Sequence, residues 1–293
     1  MWLPWQWSTC LAAALAGISV LAKRRTGRWS WVADFSIQAA LIAALYSLWQ
    51  LIASYTDRQV TGAVRHAVWV WHLERQLHLP SEQTVQRVIL HHPLVVQACN
   101  VFYAQAHVPA VGLFLVWLFV RHRSRFAHYR NVLALLTLVC LLAYLVPVAP
   151  PRLVGRFGLV DTGLAYHQSV YGRPGTGIAD QLSAMPSVHM AWALCVAWTV
   201  IRVSPSRWRW LILAHPGVTL FVVVVTANHY WLDGVAAAIL LVWAAAVAAV
   251  IDRAGSLVRS KRVERSTVVP IPVLADADTG TAGRVATRSA PPG

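Results

Sequence analysis

The chain has 293 residues, of which 57% are hydrophobic and only 12% are charged. Soluble domains carry about a quarter charged residues, so this composition excludes an ordinary soluble protein and indicates one polytopic membrane domain. The formal net charge of +14 does not indicate nucleic-acid binding, because the basic residues form short clusters between apolar runs, as in cytoplasmic loops of membrane proteins.

Seven apolar runs are long enough to cross a bilayer, which requires roughly 20 residues. They cover about residues 2–22, 31–54, 94–120, 131–149, 184–203, 210–228 and 232–251. The sequence therefore predicts an all-α fold, a polytopic bundle of membrane helices.

Basic residues cluster in alternate connections between these runs, at 23–28, 121–130, 202–209 and 253–265. Seven spans place all four clusters on one side, which the positive-inside rule identifies as the cytoplasm. We therefore expect an outer N-terminus and a cytoplasmic C-terminus in a cell membrane. The expected parts are an extra N-terminal membrane helix with its cytoplasmic loop (1–30), the main membrane domain (31–252) and a basic, then disordered, cytoplasmic tail (253–293).

Two longer connections fall on the outer side. Residues 55–93 are polar enough to lie at the membrane interface, and Trp69, Trp71, Leu73, Leu77 and Leu79 suggest the apolar face of an amphipathic helix. Residues 150–183 are rich in glycine and proline and are expected to be irregular.

With this topology, three clusters of polar residues meet at the outer face. The cluster ANHYWLDG, residues 227–234, places His229 and Asp233 four residues apart, so that one helical turn lets them share a face. A carboxylate beside an imidazole fixes its tautomer and orients the opposite nitrogen as a nucleophile or base. The same pattern also fits an interfacial histidine and aspartate that merely reach water.

The cluster AMPSVH, residues 184–189, opens the fifth apolar run. Pro186 suits the first turn of a helix, and the free N–H groups of such a turn, together with the Ser187 hydroxyl, bind phosphate readily. His189 lies in the same turn and could donate a proton. A plain helix start with a polar cap remains the simpler interpretation of this cluster.

The cluster PVAPPRLVGRFGLVD, residues 147–161, supplies Arg152, whose guanidinium matches phosphate oxygens in a bidentate way. An arginine at a membrane edge could instead contact lipid headgroups and have no catalytic role. Taken together, however, one anion-binding cation, two imidazoles and one carboxylate suffice for phosphoryl transfer without a metal ion.

These motifs resemble those of the type-2 phosphatidic acid phosphatase superfamily, which has an arginine in a first motif, serine and histidine in a second, and HxxxD in a third. APPR at 149–152, AMPSVH at 184–189 and NHYWLD at 228–233 are more narrowly similar to the aureobasidin-resistance inositol-phosphotransferase branch and its bacterial relatives. So are LERQLHLPSEQTVQ at 73–86 and NVFYAQAH at 100–107. The resemblance covers roughly residues 60–250, a six-helix core to which the first span is an addition.

The resemblance implies a role for each matching residue. His229 would attack phosphorus and form a phospho-histidine, Asp233 would orient His229, and His189 would protonate the leaving oxygen. Arg152 and Ser187 would hold phosphate oxygens. No cofactor and no metal would be needed.

Two positions depart from the phosphatase branch of that superfamily. That branch usually has a lysine seven residues before the first-motif arginine, where this chain has Leu145, and an arginine six residues before the third-motif histidine, where this chain has Val223. The two missing cations favour the transferase-like branch. Arg156 or Arg173, by position alone, could replace one of them.

Three functions stay open at this point. The first is transfer of a phospho-headgroup of the inositol-phosphate type from a phospholipid to the hydroxyl of a lipid or polyol. The second is a lipid phosphate phosphatase, in which water is the acceptor. The third is a non-catalytic lipid-binding or transport protein, in which intramembrane His107 and Asn100 line a pathway. The sequence leaves the donor, the acceptor and the oligomeric state open.

Overall fold

Apolar helices make up most of the chain in the computed structural model, which describes residues 4–24, 29–56, 60–169, 171 and 182–267. No strand occurs among these residues, and only an isolated bridge pairs Val148 with Ser183. The helices are α1 Trp5–Lys23, α2 Trp29–Thr56, α3 Val60–Gln76, α4 Glu82–Leu90, α5 Pro93–Gln105, α6 His107–Arg121, α7 Arg123–Ala143, α8 Thr162–Ala165, α9 Val188–Val203, α10 Ala214–Val225 and α11 Leu232–Thr267. Short 3₁₀ turns cover Pro151–Leu153, Gly155–Phe157 and Arg207–Leu213.

The predicted all-α membrane bundle is confirmed. Five segments of the described chain are long and apolar enough to cross a membrane: α1, α2, α7, the run Arg207–Val225 and α11. The helices α5 and α6 form a sixth candidate, bent by 52° at a one-residue break. The helix α9 is shorter, with 16 residues, and begins at Val188 rather than at 184.

The helices α1 and α2 form an antiparallel hairpin of their own. Ser47 Oγ donates to Ser8 Oγ at 2.8 Å, and Ser19 Oγ donates to the carbonyl oxygen of Ala33 at 2.8 Å. Hydroxyl and other small side chains allow membrane helices to approach closely, so this contact needs no large apolar side chains. The hairpin packs on α7, where Arg130 donates to Gln38.

The main core lies where α7, α9 and α11 meet. Small and branched apolar side chains fill it, among them Leu136, Ala191, Cys195 and Ala244, each of them inaccessible to solvent. Trp192 Nε1 donates to Thr137 Oγ1 at 2.9 Å, so these two polar groups between α7 and α9 are paired, as burial in a membrane domain favours.

The helix α3 packs on the protein mainly through small residues, and the interfacial apolar face expected from the sequence stays a prediction. Trp69 and Leu77 are exposed, whereas α3 buries Ala63, Ala67, Val70 and Glu74 along one side. The reason is tertiary: this side packs against the loops that precede α8, α9 and α11, and small residues let the helix approach their backbone. The segment is therefore part of the folded domain.

A buried glutamine of α4 connects this outer segment to two loops. Gln86 donates to the carbonyl oxygens of Val160 and Val225, both at 2.9 Å, and accepts from Val160 N at 2.8 Å. Each backbone group left without a partner in a buried place costs about 1–3 kcal/mol.

We expect Gln86→Met to lower the thermal stability of the purified protein in detergent, because the thioether fills the space but leaves three backbone groups unpaired. Arg87→Met, at the exposed neighbouring position, is the matched control and should leave the Tm unchanged. The measurement is a thermal melt followed by tryptophan fluorescence. Equal Tm values for both variants would contradict the role assigned to Gln86.

Candidate functional site

Three irregular segments meet at one end of the bundle, and their backbones hydrogen-bond to one another. They are the loop after α7 (144–161, loop one), the segment before α9 (182–187, loop two) and the turn between α10 and α11 (226–231, loop three). Loop one pairs with loop two through Val148 N to Leu182 O at 2.8 Å and Ala184 N to Val148 O at 3.0 Å. Loop one pairs with loop three through Arg152 N to Ala227 O at 3.0 Å. The convergence predicted for the three sequence clusters is therefore present.

The imidazole of His229 is held on its Nδ1 side by two oxygen atoms. Nδ1 lies 2.6 Å from the carbonyl oxygen of Ala184 and 3.1 Å from Asp233 Oδ2. Because a carbonyl oxygen only accepts, Nδ1 must carry the hydrogen. The lone pair of a neutral His229 is therefore on Nε2, the nitrogen available for reaction.

The reason given for this pairing from the sequence was wrong in one respect. His229 lies before α11, in a turn, so the two residues do not share a helical face. They meet because Asp233, in the first turn of α11, folds back over that turn and also accepts from Tyr230 N at 2.9 Å. Asp233 is completely buried and His229 is 3% exposed.

His189 lies in the first turn of α9, with its ring 5.7 Å from the ring of His229. Ser187 is the N-cap of this helix, and its Oγ accepts from Met190 N at 3.3 Å. Pro186 therefore precedes the cap. The prediction that Pro186 lies in the first helical turn was wrong. The cap forms because Ser187 has an extended backbone and its hydroxyl reaches the free N–H of Met190.

Arg152 is buried, and its guanidinium is oriented by several groups. Nε donates to Asn228 Oδ1 at 2.7 Å, Nη1 forms an ion pair with Asp161 Oδ2 at 3.0 Å, and the guanidinium stacks over the ring of Tyr171. A planar guanidinium held in this way presents a fixed set of donors. Of the two substitute cations considered, Arg156 is exposed and lies over Phe157, and Arg173 is outside the described residues.

A small cavity of about 20 Å³ adjoins Arg152. Its described lining consists of Asn100, Tyr103, Arg152, Asp161, Gly163, Gln168, Ser169, Tyr171 and Asn228. This volume holds about one water molecule and not a phosphate group. The Tyr103 hydroxyl contacts both Tyr171 and, at 3.4 Å, His229 Nε2. A phosphoryl group can thus reach Nε2 only if Tyr103 or its partner moves.

An open groove lies at the bend between α5 and α6. Its volume is about 590 Å³, and it is lined by Gln97, Ala98, Val101, Phe102, Gln105, Ala106 and Gln168. Gln168 also lines the small cavity and accepts from Asn100. The groove and the small cavity therefore share Gln168 as a lining residue.

Several residues of this centre were not assigned a role from the sequence. Tyr103, Asp161 and Asn228 lie within quoted motifs, but only the folded chain shows that they surround Arg152 and His229. His107, which the sequence offered only as part of a transport pathway, follows the break at Ala106, and its ring is 4.7 Å from that of His189. The signal that could have found them was the unusual presence of polar side chains in otherwise apolar runs.

Among the described residues, no group of three histidine, cysteine, aspartate or glutamate side chains is arranged to hold a metal ion. A model of the PAP2 superfamily matches residues 68–247, which include the three loops and all five predicted site residues. The chain belongs to the PAP2 superfamily. Members of this superfamily are phosphatases, so membership supports an enzyme with phosphatase-type chemistry on lipid phosphates in a multi-pass membrane protein. No curated protein and no solved structure matches the chain.

The contacts of His229 predict its tautomer. We expect long-range ¹H–¹⁵N correlation spectra of the histidine-labelled protein in detergent to show His229 protonated on Nδ1 and unprotonated on Nε2, because Ala184 and Asp233 present only acceptors to Nδ1. The His229→Gln variant identifies the resonance. A spectrum with the hydrogen on Nε2 would contradict the orientation described above.

Proposed function

We propose that this PAP2 protein transfers a phospho-headgroup, of the inositol-phosphate type, from a phospholipid to the hydroxyl of a second lipid or a polyol. The transfer needs no metal ion and passes through a covalent phospho-histidine intermediate on His229. The observation that carries the proposal is the position of His229: its Nδ1 is fixed by Ala184 and Asp233, and its Nε2 faces the centre that contains Arg152 and His189.

In the first step, the lone pair of His229 Nε2 attacks phosphorus, and the bond from phosphorus to the lipid oxygen breaks. A lipid alkoxide is a poor leaving group, so the proton on His189 passes to it. Such a proton transfer contributes about 10²- to 10⁴-fold to the rate. Asp233 stabilises the positive charge that develops on the imidazole of His229.

In the second step, the acceptor hydroxyl gives its proton to His189 and attacks phosphorus, and the nitrogen–phosphorus bond breaks. Arg152, the Ser187 hydroxyl and the N–H groups of the first turn of α9 stabilise the charge on the phosphate oxygens in both steps. The three loops bearing these groups lie at the end of α7 opposite to Arg123, and we place this end on the extracytoplasmic face of the cell membrane.

The charge of the site favours a phosphodiester over a phosphomonoester as donor. Among the described residues that line the small cavity, Arg152 is the one side chain with a permanent positive charge, and Asp161 forms an ion pair with it. The position where phosphatases of this kind carry an arginine is Val223, which is fully buried in the apolar cluster around Cys99 and Tyr103. A phosphodiester has one negative charge, whereas a monoester has up to two.

The groove at the α5–α6 bend supports a lipid substrate. It combines apolar side chains with three glutamine amides, and one of these, Gln168, also lines the small cavity beside Arg152. Acyl chains could lie against the apolar lining while the headgroup reaches Arg152. Hydrolysis, with water as the acceptor, uses the same residues and is the alternative outcome of the test below.

The purified protein should move ³²P from the headgroup phosphate of a phosphatidylinositol donor onto an added lipid or polyol acceptor. His229→Gln should reduce this transfer by at least 10³-fold, on the order expected for loss of a nucleophile. His72→Gln, at an exposed position of α3, is the matched control and should transfer at the wild-type rate.

Each product has a defined meaning. Label recovered in the acceptor lipid or polyol identifies a transferase. Label recovered as inorganic phosphate or as free inositol phosphate, with no acceptor attached, identifies hydrolysis by water and would overturn the proposed transfer. Turnover that is undiminished in His229→Gln would remove the proposed nucleophile.

A further inference from the structure

The outer helices α3 and α4 hydrogen-bond to loop one and to the helix ends on both sides of loop three. Ala63 O accepts from Ala149 N in loop one, Gln86 binds the ends of loop one and α10, and Glu74 binds the start of α11. Of these, the Glu74 contact is made to Leu232, the residue before Asp233.

Glu74 and Glu82 form a buried acidic pair. Both side chains are completely buried, and Glu74 Oε1 accepts from Leu232 N at 2.8 Å. Glu82 Oε2 accepts from Arg75 Nη2 at 2.9 Å. The remaining oxygens, Glu74 Oε2 and Glu82 Oε1, are buried and have no other hydrogen-bond partner among the described residues. A single proton between the two carboxyl groups would satisfy both oxygens.

Charge leads to the same conclusion. Two ionised carboxylates beside the single cation Arg75 would leave one negative charge uncompensated in a buried place. Burial, followed by the hydrogen bond and the charge of Glu82, raises the pKa of Glu74 to about 9. The other ionisable groups that face Glu74 are Asp233 and Tyr230, and neither supplies a positive charge.

The proton between Glu74 and Glu82 matters to the site because Glu74 binds the first N–H group of α11. Leu232 is the first residue of α11, so its N–H has no partner within the helix. The next residue, Asp233, orients His229 and accepts from Tyr230 N. An acceptor fixed at Leu232 N therefore fixes the turn that aims the imidazole.

We propose that Glu74 is a positioning residue for His229, and that it acts through a proton shared with Glu82 that keeps its carboxyl group against Leu232 N. Loss of that proton forces two buried carboxylates apart and releases the start of α11. The effect on turnover rests on the proposed function, whereas the shared proton and the contact to Leu232 do not.

The direct test is the pH dependence of kcat in two amide variants. Wild-type kcat should fall about tenfold for each pH unit above the pKa of Glu74 at about 9. Glu74→Gln accepts from Leu232 N and donates to Glu82 without a titratable proton, so its kcat should show no such fall. Glu82→Gln donates to Glu74 in the same way and should also lack the fall. Asp34→Asn, at an exposed carboxylate of α2, is the control and should keep the wild-type profile.

Thermal stability measured without substrate gives a second readout. The folded pKa of Glu74 lies above its unfolded value, so its contribution to stability is complete below pH 4.5 and is lost as the pH rises to about 9. The Tm of wild type should therefore fall across this window relative to the Tm of Glu74→Gln. This readout remains decisive if the protein turns over no phosphatidylinositol.

Exchange of the Leu232 amide hydrogen tests the contact itself. In Glu74→Leu, which has no acceptor, the peptide containing Leu232 should exchange at least tenfold faster at neutral pH than in Glu74→Gln. If Glu74→Leu does not fold, the pH profiles of the two amide variants still decide. The proposal is overturned if Glu74→Gln keeps the alkaline fall in kcat and the wild-type dependence of Tm on pH, or if Leu232 exchanges equally in both variants.

Discussion

Buried irregular backbone must find its hydrogen-bond partners within the protein, and this constraint shapes the site. The three loops satisfy it by bonding to one another, through Val148 to Leu182 and Arg152 to Ala227. The carbonyl oxygen of Ala184 accepts its hydrogen bond from a side chain, His229 Nδ1. The same bond that completes the backbone pairing therefore sets the tautomer and the direction of the imidazole.

The outer helices belong to this arrangement. Gln86 binds backbone atoms of loop one and of the end of α10, and Tyr230 of loop three donates to Ala149 O of loop one at 2.8 Å. The site is thus held by side chains from a segment that does not itself cross the membrane. Among the described residues, the hydrogen bonds of α3 and α4 with these loops are to backbone atoms, so the proposed influence of the two helices on the imidazole is through backbone position.

Much of this was predictable from the sequence, and the limits have physical causes. The apolar runs and alternate basic clusters predicted the helices, and the motifs around Arg152, His189 and His229 predicted the loops that meet. The pairing of His229 with Asp233 was right for a wrong reason, since spacing of four residues occurs in turns as well as in helices. The packing side of α3 was not predicted, because it uses small Ala63 and Ala67, whereas the large apolar Trp69 and Leu77 of this segment are exposed.

The contacts that the sequence did not reveal join residues that are far apart along the chain. Tyr103 reaches His229 across 126 positions and Gln86 reaches Val225 across 139. No local pattern marks such partners, except that a polar residue in an apolar run must be paired in the fold. Asp161 shows the same limit: it caps α8 through Leu164 N and also neutralises Arg152, and only the first role follows from its place before a helix.

The central claim is that His229 becomes covalently phosphorylated. The most direct measurement is rapid acid-free quenching of the wild-type enzyme with its phospholipid donor, followed by mass spectrometry of alkali-stable, acid-labile phosphopeptides. The account predicts a phosphoryl headgroup on His229 within the first turnover and none at this position in wild type mixed without donor. Turnover with no modified His229, or modification of a different residue, would contradict it.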